Sequence, residues 1–355
     1  MTARGPERER VLVVGPSWVG DMVMAQALYK LLRQRNPAVE IHVVAPSWSL
    51  PVLERMPEVA RGIELAVGHG ELALGPRRAL ARVLRGGRYT RAIVLPRSLK
   101  SALVPWLARI PRRTGFRGEW RYGLLNDVRR LDARLDQTVK RFVALGQARD
   151  EPYLESLPAQ LRPRLRADAA NLARLRGEHS LPAEAPLVAL MPGAEYGPAK
   201  RWPTAHYGAL AAELARRGVE VVLLGSAKER ALGDEVAAVA RDPRVHNLCG
   251  ATTLADVVDL AAAAEAAVSN DSGLLHLAAA AGTPVVALYG SSSPAFTPPL
   301  TDSARILTLK LSCSPCFARE CPLGHLRCLK ELEPRTVLES LDALVAQRGA
   351  GGVAS

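Results

Sequence analysis

Residues 268–290, VSNDSGLLHLAAAAGTPVVALYG, decide the fold that the sequence predicts. The apolar run 266–269 indicates a short buried strand, and the polar turn 270–273 follows it. An alanine-rich helix comes next and ends at residues 282–284, because glycine and proline stop helices. Residues 284–288 then predict a second buried strand, since this run is apolar and short. Strand, loop, helix and strand in this order are typical of a parallel α/β sheet.

The loop 270–273 has the chemistry of an anion site. It leaves the carboxyl end of a strand and opens a helix, so free backbone N–H groups and the positive end of the helix dipole converge there and can hold a diphosphate. Asp271 or Ser272 can cap the helix, and Gly273 lets a ligand approach the backbone. His276 on the first turn can face the same ligand. A capped Rossmann-type helix with an ordinary surface histidine explains these residues equally well.

Length and charge narrow the function classes. The chain has 355 residues, enough for two domains, and its net charge of +12 favours acidic partners such as nucleic acid, anionic lipid or a phosphorylated substrate. A compositional bias towards alanine and arginine is the alternative. Residues 1–10 are charged without a cleavage-type segment after them, and no apolar run reaches the roughly 18 residues of a membrane span. We therefore expect a cytoplasmic protein that can lie against a membrane surface.

The N-terminal region predicts a βαβ unit. Residues 11–14 and 41–45 read as strands, and apolar residues at helical spacing lie between them. The first turn, GPSWVGD at residues 15–21, lacks the GxGxxG pattern and therefore does not indicate a dinucleotide site. Asp21 follows the first strand, at the edge where open α/β sheets bind ligands. It can be a helix cap or a catalytic base, and taken alone the cap is favoured.

A basic stretch rich in aromatic residues occupies residues 109–130. Such a stretch can bind single-stranded nucleic acid, or it can grip phosphates and carboxylates of a glycolipid head group. A solvated surface loop is the third interpretation. The members are Arg109, Arg112, Arg113, Arg117, Arg121, Arg129 and Arg130, with Phe116, Trp120 and Tyr122 between them.

The second half repeats the alternation of strands and helices after a proline-rich connector. We predict an N-terminal Rossmann-like domain, a linker, a C-terminal Rossmann-like domain, and a final helix with a flexible tail; their ranges are 1–160, 161–186, 187–333 and 334–355. Lys200 in the loop 192–203 is suited to bind a phosphate, or it is half of a solvated pair with Arg201. Glu229 can accept a hydrogen bond from a ribose hydroxyl, or it is a solvated residue at a helix start.

Four cysteines cluster late in the chain, at Cys313, Cys316, Cys321 and Cys328. In a reducing compartment the spacing C-x2-C-x4-C-x6-C favours a structural metal over disulfides, although it is not a standard zinc spacing. Four free thiols and a disulfide pair are the alternatives.

At this point the chain resembles the bacterial lipopolysaccharide heptosyltransferases, the ADP-heptose:LPS heptosyltransferase family. The segments that carry the resemblance extend over nearly the whole chain: GPSWVGDM (15–22), KSALVPW (100–106), RTGFRGEWRYGLLND (113–127), PGAEYGPAKRWP (192–203), NDSGLLH (270–276) and LYGSSSPAFTPP (288–299). The resemblance implies the GT-B fold, an α/β architecture of two Rossmann-like domains facing a central cleft. The N-terminal domain (1–160) would bind the acceptor and the C-terminal domain (187–333) the ADP-sugar. It also implies an ADP-L-glycero-D-manno-heptose donor and an acceptor of the heptosyl-Kdo2-lipid A type, in a Gram-negative bacterium.

Site residues follow from the matching motifs. Asp21 is the catalytic base that the resemblance implies, and Lys200 contacts the donor phosphates. The other donor-binding residues are Glu195, Ser226, Glu229, Asn270, Asp271, Ser272, Gly273 and His276. We assign acceptor binding to Ser17, Trp18, Lys100, Arg113, Arg117 and Arg121.

The expected reaction is a single in-line displacement with inversion at the anomeric carbon. Asp21 takes the acceptor proton, and the departing ADP is stabilised by Lys200, the helix dipole and the N–H groups of Ser272 and Gly273. We expect no catalytic metal and no other cofactor, no nucleic acid partner, and peripheral contact with the cytoplasmic face of the inner membrane. The alternatives are a GT-B enzyme for another nucleotide sugar and, ranked well below it, a basic nucleic-acid-binding protein; a dehydrogenase ranks lower still.

Overall fold

A computed structural model describes residues 9–68 and 71–351 of the protein. The chain divides into two compact units, one running to Pro163 and the other beginning at Arg164. The extents of the linker and the C-terminal tail given above stay predictions.

The first unit is a six-stranded sheet with helices between its strands. All pairings are parallel, in the order β3-β2-β1-β4-β5-β6. The strands are β1 (Arg10–Val14), β2 (Glu40–Ala45), β3 (Val59–Glu64), β4 (Arg91–Val94), β5 (Arg112–Phe116) and β6 (Asp127–Arg129). The helices are α1 (Val19–Arg35), α2 (Leu50–Glu54), α3 (Leu74–Arg85), α4 (Leu99–Leu107) and α5 (Thr138–Gly146).

The second unit repeats this topology. Its sheet is also parallel throughout, in the order β12-β11-β10-β7-β8-β9. Its strands are β7 (Leu187–Met191), β8 (Glu220–Leu223), β9 (Val245–Asn247), β10 (Ala266–Asn270), β11 (Val285–Leu288) and β12 (Ala304–Leu307). Its helices are α6 (Ala169–Glu178), α7 (Thr204–Arg216), α8 (Arg230–Ala240), α9 (Leu254–Ala263), α10 (Gly273–Ala280), α11 (Arg327–Lys330) and α12 (Pro334–Gly351).

Strand burial explains why these sheets form. Every residue of β7, β8, β10 and β11 is buried, as expected of strands that helices cover on both faces. In each sheet the first strand pairs with the second and the fourth, so the strand order reverses direction beside it: at β1 and β4 in one unit, at β7 and β10 in the other. Ligands in open α/β sheets bind outside the carboxyl ends of strands at such a point.

The basic stretch is only partly a loop. Residues 109–130 contain β5 and β6, which the sequence did not predict because the stretch is rich in arginine. Their charges pair with each other: Asp127 accepts hydrogen bonds from Arg129, Thr114 and Arg112 at 2.9, 3.0 and 3.2 Å. Burial alone would raise the pKa of Asp127, but these bonds hold it at about 2. The interpretation of the whole stretch as a solvated loop is therefore wrong.

None of the helices in the described parts of the chain combines the length and the apolar character that crossing a bilayer requires.

Candidate active site

The loops after β7 and β10 meet at the switch point of the second sheet, and Asn270 joins them. Its amide nitrogen donates to the carbonyl oxygens of Pro192 and Gly193 at 2.8 and 3.3 Å, and its amide oxygen accepts from the N–H of Trp202 at 3.0 Å. Asn270 is completely buried. All side-chain polar atoms of Asn270 thus form hydrogen bonds with backbone groups, and these bonds hold the loop that carries Lys200.

Helix α10 begins without a side-chain cap. Ser272 is the N-cap residue, but its hydroxyl makes no capping hydrogen bond and lies 3.3 Å from the hydroxyl of Ser269. Asp271 does not cap either, because its carboxylate binds Lys200. The prediction of a side-chain cap is therefore wrong. The first N–H groups of α10 are left for another acceptor, and the helix dipole favours an anionic one.

A lysine–aspartate pair lies beside this helix start. The Lys200 ammonium is 2.5 Å from the Asp271 carboxylate and 4.9 Å from the centre of the Tyr196 ring. Tyr196 is fixed in turn by its hydroxyl, which donates to the carbonyl of Phe317 at 2.8 Å. Asp271 is 5% exposed, so the pair is largely removed from water. Lys200 is thus held with its charge at the amino end of α10.

His276 is buried, with 6% of its surface exposed, so the alternative of an ordinary surface histidine is wrong. Burial lowers its pKa, Lys200 acts in the same direction, and Asp271 opposes them. The ring is therefore neutral at pH 7. Its Nδ1 atom is buried and has no hydrogen-bond partner among the described residues.

Glu229 lies over the glycine of the loop after β7. Its Oε2 atom accepts from the N–H and the hydroxyl of Ser226 at 2.8 and 2.9 Å. Its Oε1 atom is 1.8 Å from where a Cβ on Gly193 would lie, so a side chain at position 193 would displace it. Glu195, by contrast, is exposed and pairs with Lys228 at 3.0 Å.

Two serines that the sequence analysis gave no role follow β11. Ser291 and Ser292 are 2% and 7% exposed, and neither hydroxyl has a hydrogen-bond partner among the described residues. A buried hydroxyl without a partner is rare in native proteins. The signal for them was present in the sequence: GSSSP follows a buried strand next to β10, as NDSG follows β10 itself.

The first unit has a cavity of about 710 Å³ at its own switch point. Asp21, on the first turn of α1, lines it together with Ser17, Trp18 and Lys100. Trp48 and Arg97 also line it, and sequence reasoning missed both. The Trp48 indole N–H donates to the carbonyl of Ser17 at 3.1 Å and so positions this loop. Trp48 lies three residues after the end of β2, and Arg97 lies three residues after the end of β4. This position after a strand is the signal that would have found them.

The three arginines assigned to the acceptor are dispersed. Arg121 is buried and donates to the carbonyls of Pro96 and Phe116, and burial lowers its pKa to about 10. Arg113 donates to the carbonyls of Leu124 and Ile110, at 2.6 Å each. Neither lines the cavity of Asp21, so both act on the fold around it. Arg117 lines a different cavity.

The late cysteines are free thiols. Among the described residues, no group of three or more histidine, cysteine or carboxylate side chains is arranged to hold a metal ion. Cys328 belongs to the hydrophobic core, and burial raises its pKa, whereas the N–H of Leu326 donates to Cys321 and lowers the pKa of that thiol. Cys313, Cys316, Cys321 and Cys328 thus do not support the predicted structural metal, and the disulfide alternative is not realised.

The chain is similar to known proteins over nearly its full length. Residues 77–327 match glycosyltransferase family 9 (heptosyltransferase). Lipopolysaccharide heptosyltransferase 2 of Salmonella typhimurium is 47% identical over 96% of this chain and 99% of its own, and the Escherichia coli protein of that name is 47% identical over 96% and 100%. The solved structure of E. coli ADP-heptose lps heptosyltransferase II superposes with a TM-score of 0.85, at 44% identity, over 96% of this chain and 99% of its own.

Proposed function

The chain belongs to glycosyltransferase family 9, the heptosyltransferases, and we propose that it moves heptose from ADP-L-glycero-D-manno-heptose to an inner-core heptose of lipopolysaccharide. Two parallel sheets of Rossmann type agree with the GT-B fold of such an enzyme. Among the geometric features, the Lys200–Asp271 pair at the uncapped start of α10 is the one that carries the donor assignment.

Donor binding follows from the charges at that helix start. The diphosphate accepts from the N–H groups of Ser272 and Gly273, where the helix dipole is positive. Lys200 exchanges its contact with Asp271 for the phosphate oxygens, and the same ion–dipole arrangement stabilises ADP as it leaves. Glu229 accepts from a ribose hydroxyl through Oε1, since Oε2 is occupied by Ser226. Asn270 holds the loop that carries Lys200, and Glu195 and His276 also line the donor site.

Catalysis requires a base at the acceptor hydroxyl, and Asp21 fills that role. It lies in the cavity of the first unit, with Ser17, Trp18 and Lys100 beside it. Its carboxylate takes the proton while the hydroxyl oxygen attacks the anomeric carbon and ADP departs from the opposite face. The configuration therefore inverts, and NMR of the product linkage tests this directly. A product with retained configuration would contradict the single displacement.

The acceptor is anionic and lipid-anchored, which suits a basic protein. A net charge of +12 attracts the enzyme to the cytoplasmic face of the inner membrane, where such an acceptor is exposed. Sedimentation with anionic and neutral vesicles tests this location, since an electrostatic contact weakens as salt rises.

The decisive experiment for the function is incubation with ADP-heptose and truncated lipopolysaccharide while ADP release is followed. Release that depends on both substrates supports heptose transfer. Release with a UDP-sugar in place of ADP-heptose would move the assignment to another donor. Binding of oligonucleotides in preference to lipopolysaccharide would favour the nucleic-acid alternative instead.

We propose that the buried hydroxyls of Ser291 and Ser292, which follow the strand next to β10, donate hydrogen bonds to the donor. This role predicts that removing the hydroxyls weakens donor binding without lowering the stability of the free enzyme. Changing Ser291 and Ser292 together to alanine should raise the KM for ADP-heptose several-fold, while the melting temperature of the free enzyme stays level or rises, because two unpaired buried hydroxyls are removed. Ser314→Ala is the control: its hydroxyl donates to the carbonyl of Gly290, so its loss should destabilise by about 1 kcal/mol. A double variant with lower stability and unchanged KM would contradict the donor role.

His276 predicts a pH dependence of stability. Because burial lowers its pKa in the folded state, the unfolded chain binds the proton first as the pH falls. The free energy of unfolding should therefore decrease below about pH 6.5 and continue to fall until the folded-state pKa is reached. His276→Asn should flatten that part of the curve in denaturant titrations at pH 7.5 and 5.5. If the free energy of unfolding fell with pH as steeply in the His276 variant as in the unmodified protein, His276 would not be the source of this pH dependence.

A further inference from the structure

The first unit contains a second cavity, of about 730 Å³, at the outer edge of its sheet. Three exposed arginines line it, Arg117, Arg130 and Arg149. Two tyrosines, Tyr122 and Tyr153, also line it, and the guanidinium carbon of Arg117 is 5.9 Å from the centre of the Tyr122 ring. The cavity thus presents cations and phenol groups in a concave surface.

The neighbouring acids are already engaged by other arginines. Asp132, the acidic residue of this lining, accepts from the backbone and the guanidinium of Arg134 at 2.9 to 3.0 Å. Glu151 pairs with Arg35 at 2.5 Å, and Asp127 pairs with Arg129. Among the residues that the structure describes, Arg117, Arg130 and Arg149 have no carboxylate partner. The cavity therefore has an excess of about three positive charges.

The fold holds these arginines in place through backbone contacts. The N–H of Arg117 donates to the carbonyl of Arg129 at 2.7 Å, which fixes the end of β5 against β6. Arg129 donates to the carbonyls of Gln147 and Ala148 at 3.3 and 3.5 Å, and so anchors the turn that carries Arg149. These contacts fix the chain positions that carry Arg117 and Arg149, and all three guanidiniums line one cavity although they repel one another, an arrangement that a bound anion would stabilise.

The second cavity and the cavity of Asp21 share one loop. The loop after β5 contributes Arg117 and Tyr122 to the second cavity and Glu119 to the cavity of Asp21. The loop that borders the catalytic cavity thus also borders the basic one, and this is the reason to assign both cavities to one acceptor molecule.

We propose that the second cavity, through Arg117, Arg130 and Arg149, is a subsite for a phosphate group on the lipid-anchored acceptor, remote from the sugar that receives heptose. This inference rests on the proposed function, because that function supplies the acceptor. A phosphate monoester carries up to two charges and three acceptor oxygens, which match several guanidiniums better than one carboxylate does. The subsite raises acceptor affinity and takes no part in the chemical step.

The test compares two double variants that remove the same charge. The site variant, Arg130→Gln/Arg149→Gln, removes two of the arginines that line the cavity. The control variant, Arg78→Gln/Arg82→Gln, removes two exposed arginines of α3 that line neither cavity. Each is assayed with truncated lipopolysaccharide before and after phosphatase treatment. The site variant should raise the KM for the phosphorylated acceptor roughly tenfold, leave kcat unchanged, and show no change with the dephosphorylated acceptor. The control variant should match the unmodified enzyme.

A binding measurement without donor tests this inference separately from the proposed function. Titration of the phosphorylated glycolipid without donor should show the same loss of affinity in the site variant, even if no heptose is transferred. Equal KM values for the two variants, or an increase that survives phosphatase treatment, would overturn the proposal. So would a site variant that loses affinity only for inorganic phosphate, or equally for phosphatidylglycerol vesicles, because these identify a free-anion site or a general membrane patch.

Discussion

Asp21→Asn is expected to lower kcat by roughly 10²- to 10⁴-fold, while the enzyme still binds its donor. Asparagine keeps the size and the hydrogen-bonding reach of the side chain but cannot accept a proton at neutral pH. Asp21 lies on α1 at the edge of the first sheet, whereas the donor loops belong to the second unit, so ADP affinity should be unchanged. Steady-state rates with both substrates saturating, together with calorimetric titration of ADP, measure the two effects separately.

Glu119 is the informative comparison, because it is another carboxylate in the same cavity. Its Oε2 atom accepts from the N–H of Leu99 at 3.0 Å and so supports the start of α4. Glu119→Gln should therefore lower kcat far less than Asp21→Asn does. If Glu119→Gln had the larger effect, the base would be Glu119. Near-normal turnover of Asp21→Asn at every pH would remove the base assignment altogether.

The sheets could be predicted where burial leaves a trace in the sequence. Residues 187–191 are an uninterrupted apolar run, and residues 266–268 are a shorter one; both form strands in the structure because helices cover both faces of the sheet. β5 and β6 left no such trace, because they contain arginines. Arg112 and Arg129 are neutralised by Asp127, a residue that no local pattern links to Arg112. β3 left a weak trace as well, because none of the residues of this edge strand is fully buried.

The sequence predicted the kind of site and its place in the fold better than it predicted which individual side chains line it. Helix starts and glycine-bearing turns identified Asp21, Lys200 and Asp271, because chain order alone brings strand-end loops to one edge of a sheet. Which arginines reach a ligand depends on packing: Arg121 and Arg117 are four residues apart, yet one is buried against carbonyl groups and the other lines a cavity. The buried state of Ser291 likewise depends on the segment around Phe317, whose N–H donates to the Ser291 carbonyl.

Lys200→Ala should weaken ADP binding by roughly 10- to 100-fold, which corresponds to about 1.4 to 2.7 kcal/mol. The lysine is the cation that the structure holds beside the start of α10, so its loss leaves the diphosphate with backbone N–H groups alone. The same change removes the partner of the buried Asp271 carboxylate, and breaking such a pair costs about 3 kcal/mol or more of folding stability. Calorimetric ADP titration and denaturant unfolding measure the two losses.

These losses can be separated, because only the second arises from Asp271. In Lys200→Ala/Asp271→Asn the buried charge is gone, so stability should recover while ADP affinity stays low. Lys140→Ala is the stability control: its partner Asp136 is 60% exposed and remains solvated when the lysine is lost. ADP affinity that is unchanged in Lys200→Ala would mean that Lys200 serves only to neutralise Asp271. The helix start would then be the whole of the phosphate site, and Gly273 rather than Lys200 would be the residue to change next.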